Sequence, residues 1–272
     1  MSKHRIFVVA AIALAAACGT KTTVPTRTAP GPTPVVSTAR IAQGIDLSAG
    51  LQRDTLVAAA LADIDPSHIH HTDSMLVSFG TRNTFSDTMS TTHGIGAARR
   101  WIHSQFDQYS RDCGGCLKVE YYGKVQDVRR AAGRDTTHVV VMTGHYDSCV
   151  CSVGGSFDST STAPGADDDG SGTSAVVELA RVFSRKYPKG LNASILFVAV
   201  AAEEQGLYGS RQLAERLHEQ GYKVVAGMTD DIVGNTTAED GSTDSTSMRI
   251  FAADPDNSPN ASTSRATRSS RE

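Results

Sequence analysis

Three short apolar runs, each followed directly by polar residues, constrain the fold of this chain more than any other feature. They are rich in β-branched residues and nearly continuous, which is typical of parallel strands buried on both faces. Residues 171–187 lie between the first two runs and carry apolar side chains at helical spacing before Pro188. A second helix is predicted from Ser210, as its N-cap, to a stop at Gly221. The strands are predicted at residues 137–143, 194–201 and 223–229.

This alternation of strands and helices determines the fold class. Parallel neighbouring strands joined by helices require right-handed crossovers, and such helices cover the sheet. We therefore predict an α/β fold with a mostly parallel sheet that is covered by helices on both faces.

The preceding part of the chain is also patterned. Residues 46–62 and 95–109 carry apolar side chains at helical spacing, and residues 117–125 alternate like a strand. Three histidines follow Pro66 in a turn-rich stretch, where we expect a solvated loop and not a metal-binding tract. These are His68, His70 and His71.

Composition excludes two classes of protein. The 272 residues carry a formal net charge of −3, which argues against a nucleic-acid binder that relies on a diffuse positive field. No apolar run reaches the roughly 18 residues of a membrane-spanning helix, so a multi-span membrane protein is not expected.

The N-terminus has the anatomy of a secretory signal peptide. Basic residues at positions 3–5 precede an apolar stretch at 6–17, and small residues lead to Cys18. We predict a signal peptide over residues 1–18 of the lipoprotein type, with Cys18 as the lipidation site; an ordinary cleaved signal is the alternative. Residues 19–45, rich in proline and threonine, are predicted to be an extended linker. The protein is thus expected in the periplasm or at the cell surface, with a lipid anchor as its only membrane contact.

Four further cysteines are candidates for disulfides, because an exported chain meets an oxidising compartment. A bond within the last pair would close a very small ring, so we expect the first pair to bond with the second. Sequence leaves all three connectivities open. A four-thiolate zinc site is the alternative, although its C-x-C half departs from the usual C-x-x-C spacing. The cysteines are Cys113, Cys116, Cys149 and Cys151.

Acidic residues cluster where the predicted strands end. His145 and Asp147 follow the first strand, Glu203 and Glu204 the second, and an Asp-Asp pair the third. The loop at residues 164–172 adds three more aspartates. Ligands of open α/β sheets bind beyond the carboxyl ends of the strands, and crowded carboxylates need a cation to neutralise them. One imidazole with several carboxylates fits Zn²⁺ or a similar divalent ion.

The motifs at these clusters resemble those of the di-zinc aminopeptidase family, which includes bacterial leucyl aminopeptidase, aminopeptidase Y and glutamate carboxypeptidase. The resemblance covers about residues 76–251 and rests on GHYDS, APGADDDGSG, AAEEQGLYGS and DDIVGN, with SFGTRNT and GIGAARRWI upstream. It implies the zinc-exopeptidase, phosphorylase/hydrolase-like fold over residues 46–251.

The resemblance also implies roles for individual residues. Asp167 corresponds to an aspartate that bridges two zinc ions, and Glu203 to the general base. Asp147 orients the imidazole of a zinc ligand. Asp168 and Asp169 are open to a plainer interpretation as helix-start residues. The remaining implied zinc ligands are His145, Glu204 and Asp231.

One element of the family pattern is missing. The family uses a further histidine downstream, whereas no histidine follows His218 here, and residues 252–272 are predicted to be a disordered tail. We therefore expect an incomplete domain that lacks the family's last elements, from a truncated or frame-shifted gene. One tight zinc is expected where the family holds two, because the second ion keeps only Glu204 and Asp167.

The sequence thus predicts a zinc-dependent exopeptidase of the aminopeptidase type that acts on peptides with a free N-terminus. The alternative is a catalytically impaired or non-catalytic binding protein on the same fold. A serine hydrolase is disfavoured because Ser171 and Ser174 lie in no G-x-S-x-G elbow, and a zincin because H-E-x-x-H is absent. Side-chain preference, disulfide connectivity and oligomeric state are not determined by the sequence.

Overall fold

The computed structural model describes residues 55–122, 137–151, 157–191, 194–238 and 240–245, together with the backbone of three short strands. The chain forms two compact units. The described part of the first, Leu14–Asp63, contains helix α1 (Thr55–Leu61). The second combines Met1–Ala13 with Ile64–Glu272 and contains the sheet and the candidate site.

Five parallel strands form the main sheet, in the order β2-β1-β4-β3-β5. The predicted α/β class with a parallel sheet is confirmed. Two further strands, β6 (Phe251–Ala252) and β7 (Ser264–Arg265), pair antiparallel. The strands of the main sheet are β1 (Ile6–Ala11), β2 (Leu117–Tyr122), β3 (His138–His145), β4 (Ser194–Val200) and β5 (Lys223–Thr229).

The helices of this unit are α2 (Pro66–Ser78), α3 (Gly94–Asp112), α4 (Gly172–Lys186) and α5 (Tyr208–Glu219). Helices lie on both faces of the sheet because β4 is apolar on both sides. Phe197 and Ala199 pack with residues of α3 and α4 in one core cluster. Leu196 and Val198 pack with Leu213 of α5 in another.

The stretch that contains His68, His70 and His71 is helix α2, so the loop expected from its sequence is wrong. Asp65 caps the helix by accepting from the Ser67 backbone N–H at 2.8 Å, and proline is tolerated in the first turn. Similarly, α5 begins at Tyr208 and not after Ser210, whose hydroxyl instead donates to Leu207 O at 3.1 Å.

Strand β5 forms as predicted but is not buried. All seven of its residues are exposed, including Val224, Val225 and Met228. The strand lies at the edge of the sheet and pairs only with β3 among the described strands. The apolar composition therefore predicted the strand correctly, but the prediction that the strand is buried is wrong.

The cross-pairing expected for the cysteines is wrong. Cys113 bonds to Cys116 and Cys149 to Cys151, with Cα–Cα distances of 5.6 and 5.1 Å. The first pair precedes β2 and the second follows β3. Because the strands are parallel, one pair lies at the amino ends of the strands and the other at their carboxyl ends. This separation also excludes a zinc site formed by all four thiolates.

Residues Ile6–Ala11 pair as strand β1 between β2 and β4. The predicted signal peptide uses the same residues, and its cleavage stays a prediction. Cys18, the linker over residues 19–45 and most of the predicted tail over residues 252–272 lie outside the described residues. Among the helices that the structure describes, none is both long and apolar enough to cross a bilayer.

Candidate metal centre

The carboxyl edge of the sheet brings together side chains from four segments. His145 is the last residue of β3, Glu203 follows β4 and Asp231 follows β5. The fourth segment is a π-helical turn, Ala166–Ser171, which leads into α4 and carries Asp168. These segments meet because parallel strands end at the same edge.

His145 lies at the centre of this group. Its Nε2 atom is 3.0 Å from Asp168 Oδ1 and 4.0 Å from Asp231 Oδ1. The same nitrogen is 4.0 Å from Glu203 Oε2. The imidazole is 3% exposed, whereas the side chains of Asp168 and Asp231 are 49% and 44% exposed. The centre is therefore closed on the β3 side and open to solvent on the other.

The donor set fits a divalent ion. One atom each from His145, Asp168 and Asp231 lie within 4.8 Å of one another. Ligand atoms bound to zinc at about 2.0–2.2 Å are roughly 3.3–3.6 Å apart in a tetrahedral shell, so small side-chain movements would suffice. Three protein ligands on an open edge leave a position for water or substrate, as catalytic zinc sites require.

Asp147 fixes the geometry around His145. Its carboxylate is fully buried and accepts the backbone N–H groups of Glu203 at 3.2 Å and Glu204 at 3.3 Å. The Nδ1 atom of His145 lies 3.2 Å from the Asp147 carbonyl oxygen and 3.5 Å from its Oδ1. A proton on Nδ1 therefore leaves Nε2 free to bind an ion. Asp147 thus ties the end of β3 to the loop after β4.

The three consecutive aspartates point in different directions. Asp168 faces His145, whereas the Oδ1 atom of Asp167 accepts the Gly234 backbone N–H at 3.1 Å. Asp169 is fully buried and accepts from the backbone N–H groups of His145 at 2.9 Å and Gly172 at 2.8 Å. This geometry favours Asp168 over Asp167 as the carboxylate nearest the ion. Asp169 is a structural tie between β3 and α4, more than the helix-start residue expected from its sequence.

Two glycines permit the close packing that brings these aspartates to β3. A Cβ atom on Gly144 would lie 2.6 Å from the Thr173 backbone nitrogen, and one on Gly172 would overlap the carbonyl oxygen of Asp230, directly after β5. Only glycine leaves room for the start of α4 to approach the end of β3 this closely.

Arg82 is a supporting residue that sequence reasoning missed as an individual. It is fully buried, and its guanidinium donates to the carbonyl oxygens of Tyr146, Pro164 and Gly165 at 2.8, 2.5 and 2.8 Å. It therefore joins the segment after β3 to the aspartate loop. Desolvation lowers the pKa of Arg82 to about 10, which leaves the side chain charged at neutral pH. The sequence signal for Arg82 is its position in the SFGTRNT motif. That motif indicates the family resemblance but does not reveal which backbone groups Arg82 contacts.

The remaining predicted residues lie nearby in other roles. Glu204 is half-buried, its Oε2 atom lies 3.0 Å from Cys151 Sγ, and it groups with Cys149 and Cys151 and not with His145, Asp168 and Asp231. Ser171 donates to Asp167 O at 2.7 Å and accepts from Val233 N at 3.1 Å, so it joins two loops. Ser174 is fully buried in α4. These contacts give neither serine the environment of a nucleophile.

Burial is the main cause of the raised pKa values of the acids at this site. Burial, then repulsion by Asp168, raises the pKa of Glu204 to about 7, and burial raises that of Asp169 to about 7. Burial also raises the pKa values of Glu203 and Asp231. Burial lowers the pKa of His145, but hydrogen bonds to Asp147 and Asp168 outweigh it and raise the value to about 11. A bound cation would replace these protons as the compensating charge.

Fold and site together define an α/β protein with an imidazole–carboxylate centre at the carboxyl edge of a parallel sheet. Comparison with known proteins adds the family. Residues 128–262 match peptidase family M28. This match confirms the resemblance seen in the motifs of the chain.

Similar proteins agree with this assignment. The chain is 40% identical over 217 residues to a probable zinc metalloprotease of Pyrenophora teres f. teres, covering 74% of this chain and 44% of that protein. It is 39% identical over 214 residues to a probable zinc metalloprotease of Leptosphaeria maculans, covering 73% and 48%. The structure also resembles that of the LapA aminopeptidase of Legionella pneumophila, with a TM-score of 0.50, 25% identity and coverage of 74% and 50%. The chain thus spans about half the length of these relatives.

Proposed function

We propose that this protein is a zinc-dependent peptide hydrolase of the aminopeptidase type. One observation carries the proposal: His145, Asp168 and Asp231 converge to within 4.8 Å, with Glu203 at 4.0 Å from the same imidazole nitrogen. Three ligands beside a free carboxylate are what metal-assisted hydrolysis requires.

His145, Asp168 and Asp231 would hold one tight zinc ion. When bound, zinc supplies Lewis-acid chemistry, which polarises a substrate carbonyl and lowers the pKa of water. Asp168 takes the place among the zinc ligands that the family resemblance assigned to Asp167. The exposed side of the centre, at Asp168 and Asp231, is where a peptide would approach.

Glu203 acts as the general base and accepts a proton from the attacking water at a carboxylate oxygen. Its raised pKa makes it a stronger base than an exposed glutamate, and it can return the proton to the departing amine. Asp147 positions Glu203 by accepting its backbone N–H, and Asp147 also orients His145. The base and the ligand are therefore fixed by one buried carboxylate.

The exopeptidase character of the proposal draws on the similarity to LapA, which is described as an aminopeptidase. A free α-amino group is cationic, and the site is acidic, with Glu203 and Asp231 each 4.0 Å from His145 Nε2. We therefore propose peptides with a free N-terminus as substrates. The chain spans about half the length of its relatives. The substrate class is therefore proposed for the described site alone.

The test compares hydrolysis of an aminoacyl-p-nitroanilide with that of its N-acetylated form, alongside zinc content. We expect hydrolysis of the free amine only, loss of activity with chelator and recovery with zinc. Glu203→Gln should keep its zinc and lose about 10²–10⁴-fold in kcat. Cleavage of the acetylated substrate would contradict the exopeptidase assignment, and full activity of Glu203→Gln would contradict the base.

We also propose export, with lipidation at Cys18, on the basis of the basic and apolar N-terminal residues. Strand β1 uses the same residues, so cleavage would remove the strand between β2 and β4. The mass of the mature chain from membranes tests the proposal: a lipid-modified N-terminal Cys18 supports it, and an intact Met1 contradicts it. The unfolding midpoint of a chain that starts at Gly19 would show whether β1 contributes to the fold.

A further inference from the structure

Two sulfur atoms at the carboxyl edge of the sheet have no role in the proposed function. Cys149 and Cys151 follow β3, and Cys151 Sγ lies 3.0 Å from Glu204 Oε2. Both sulfurs and one Glu204 oxygen lie within 4.8 Å of one another. Cys149 and Glu204 are half-buried and Cys151 is exposed, so solvent reaches the group.

These three atoms have the chemistry and spacing of metal ligands. Zinc binds thiolate sulfur at about 2.3 Å and carboxylate oxygen at about 2.0–2.2 Å, which places tetrahedral ligand atoms roughly 3.3–3.8 Å apart. Two thiolates would neutralise a divalent cation, the carboxylate would supply a third ligand, and water would complete the shell. In the structure the two sulfurs are bonded to each other, and a disulfide has no thiolate to donate.

We propose that Cys149, Cys151 and Glu204 form a binding site for a second, thiophilic divalent cation when the Cys149–Cys151 disulfide is reduced. A dithiol reductant supplies two electrons and two protons, breaks the sulfur–sulfur bond and becomes a disulfide itself. The cation then displaces both thiol protons to solvent as it binds the thiolates. This inference depends on the proposed function at one point: Glu204 is also one of the acids of the candidate metal centre.

The other cysteine pair provides a matched control within the same chain. Cys116 is buried and its sulfur lies 3.7 Å from the Ser184 carbonyl oxygen. Cys113 Sγ lies 3.3 Å from Ser110 O. Among the described residues, the groups suited to an ion include the second cysteine pair and not the first. Reduction of Cys113–Cys116 should therefore create no metal site.

The experiment is an anaerobic titration with Co²⁺ alone, with the full chain either reduced by a phosphine or left oxidised. Cobalt bound by thiolate shows a sulfur-to-metal charge-transfer band that carboxylate or imidazole ligands do not produce. We expect the reduced chain to bind one more equivalent than the oxidised chain and to show this band. The Cys149→Ser/Cys151→Ser variant should lose the extra equivalent and the band, whereas the Cys113→Ser/Cys116→Ser variant should keep both.

Two outcomes would overturn the inference: no band in the reduced chain, or a band that survives Cys149→Ser/Cys151→Ser. Glu204→Gln should retain the band but shift its titration to higher cobalt concentration; an unchanged titration would remove Glu204 from the site. His145→Ala separates this inference from the proposed function, since it should lose one equivalent that contributes no band. If His145→Ala changes neither metal content nor hydrolysis, the proposed function fails while the thiolate site stands.

Discussion

Strands β4 and β5 have similar sequences but different environments. Both are apolar runs followed by a pair of acids, yet six residues of β4 are at most 5% exposed and every residue of β5 is exposed. The difference extends to the site. Asp147, which is fully buried, positions the acids after β4, whereas Asp231 after β5 is 44% exposed. The β3–β4 side is thus a rigid frame, and the β5 side contributes a ligand without being buried.

The largest expected effect is at Arg82, which belongs to the rigid side. Arg82→Met removes three hydrogen bonds and leaves the carbonyls of Tyr146, Pro164 and Gly165 without this donor. We expect a loss of about 3 kcal/mol or more in the free energy of unfolding, measured by urea denaturation. Arg211→Met, at an exposed position, is the control and should change the value by less than about 0.5 kcal/mol. Equal effects would show that Arg82 does not brace the site.

The second comparison sets Asp147 against Asp231. Asp147→Ala leaves the Glu203 and Glu204 N–H groups without their acceptor, and should cost about 1–3 kcal/mol in unfolding free energy. Asp231→Ala should leave the stability of the metal-free protein within about 0.5 kcal/mol and weaken zinc binding. Urea denaturation and zinc titration of both variants measure this. Strong destabilisation by Asp231→Ala would mean that the β5 side is also part of the frame.

A matched pair of valines tests burial directly. Val198→Thr places a hydroxyl in the core between β4 and α5 and should cost about 1–3 kcal/mol. Val225 is 57% exposed, so Val225→Thr should change the free energy of unfolding by less than about 0.5 kcal/mol. Thermal and urea denaturation can be compared for the two. A similar cost at both positions would show that β5 is covered in solution.

The last comparison concerns the effect of pH on the metal-free protein. The folded pKa values of Asp169 and Glu204 are raised to about 7, so the folded state binds more protons than the unfolded state. The stabilisation is complete below the ordinary pKa values, 3.8 and 4.5, and is lost as the pH rises through about 7. His145 has the same sign, with its contribution lost between 6.5 and about 11.

Denaturation midpoints at about pH 5 and pH 8, without and with zinc, measure this dependence. Without zinc the midpoint should be lower at pH 8. Zinc should reverse the order, because its ligands bind in their deprotonated forms. A midpoint without zinc that rises with pH would show that the acids at this edge are ionised in the folded protein.

Much of the fold could be predicted because it depends on local pattern. Strands β3, β4 and β5 and helices α3 and α4 lie close to their predicted positions, since apolar periodicity and terminating residues act within a few residues. The clustering of acids also follows, because parallel strands end together. The segment of α2 that contains the three histidines was predicted to be a loop, because its polar residues show no clear apolar periodicity. It is a helix with Asp65 as its N-cap.

The site was less predictable in its details. Three adjacent aspartates are equivalent in sequence, and their directions depend on where Gly234, His145 and Gly172 lie in space. The roles of Arg82 and Asp169 depend on contacts with distant backbone groups, which no local pattern encodes. Cysteine pairing depends on which edge of the sheet each pair occupies.

The sequence by itself determined the strands, most helices, the α/β class, the family and the edge at which the acids gather. These follow from periodicity, turn chemistry and motif, which are local properties of the chain. Only the tertiary structure decided which aspartate faces His145, that β5 is exposed, and that Cys149 and Cys151 lie beside Glu204. The reason is physical: burial and side-chain contact depend on neighbours brought together by packing, and those neighbours are far apart in the chain.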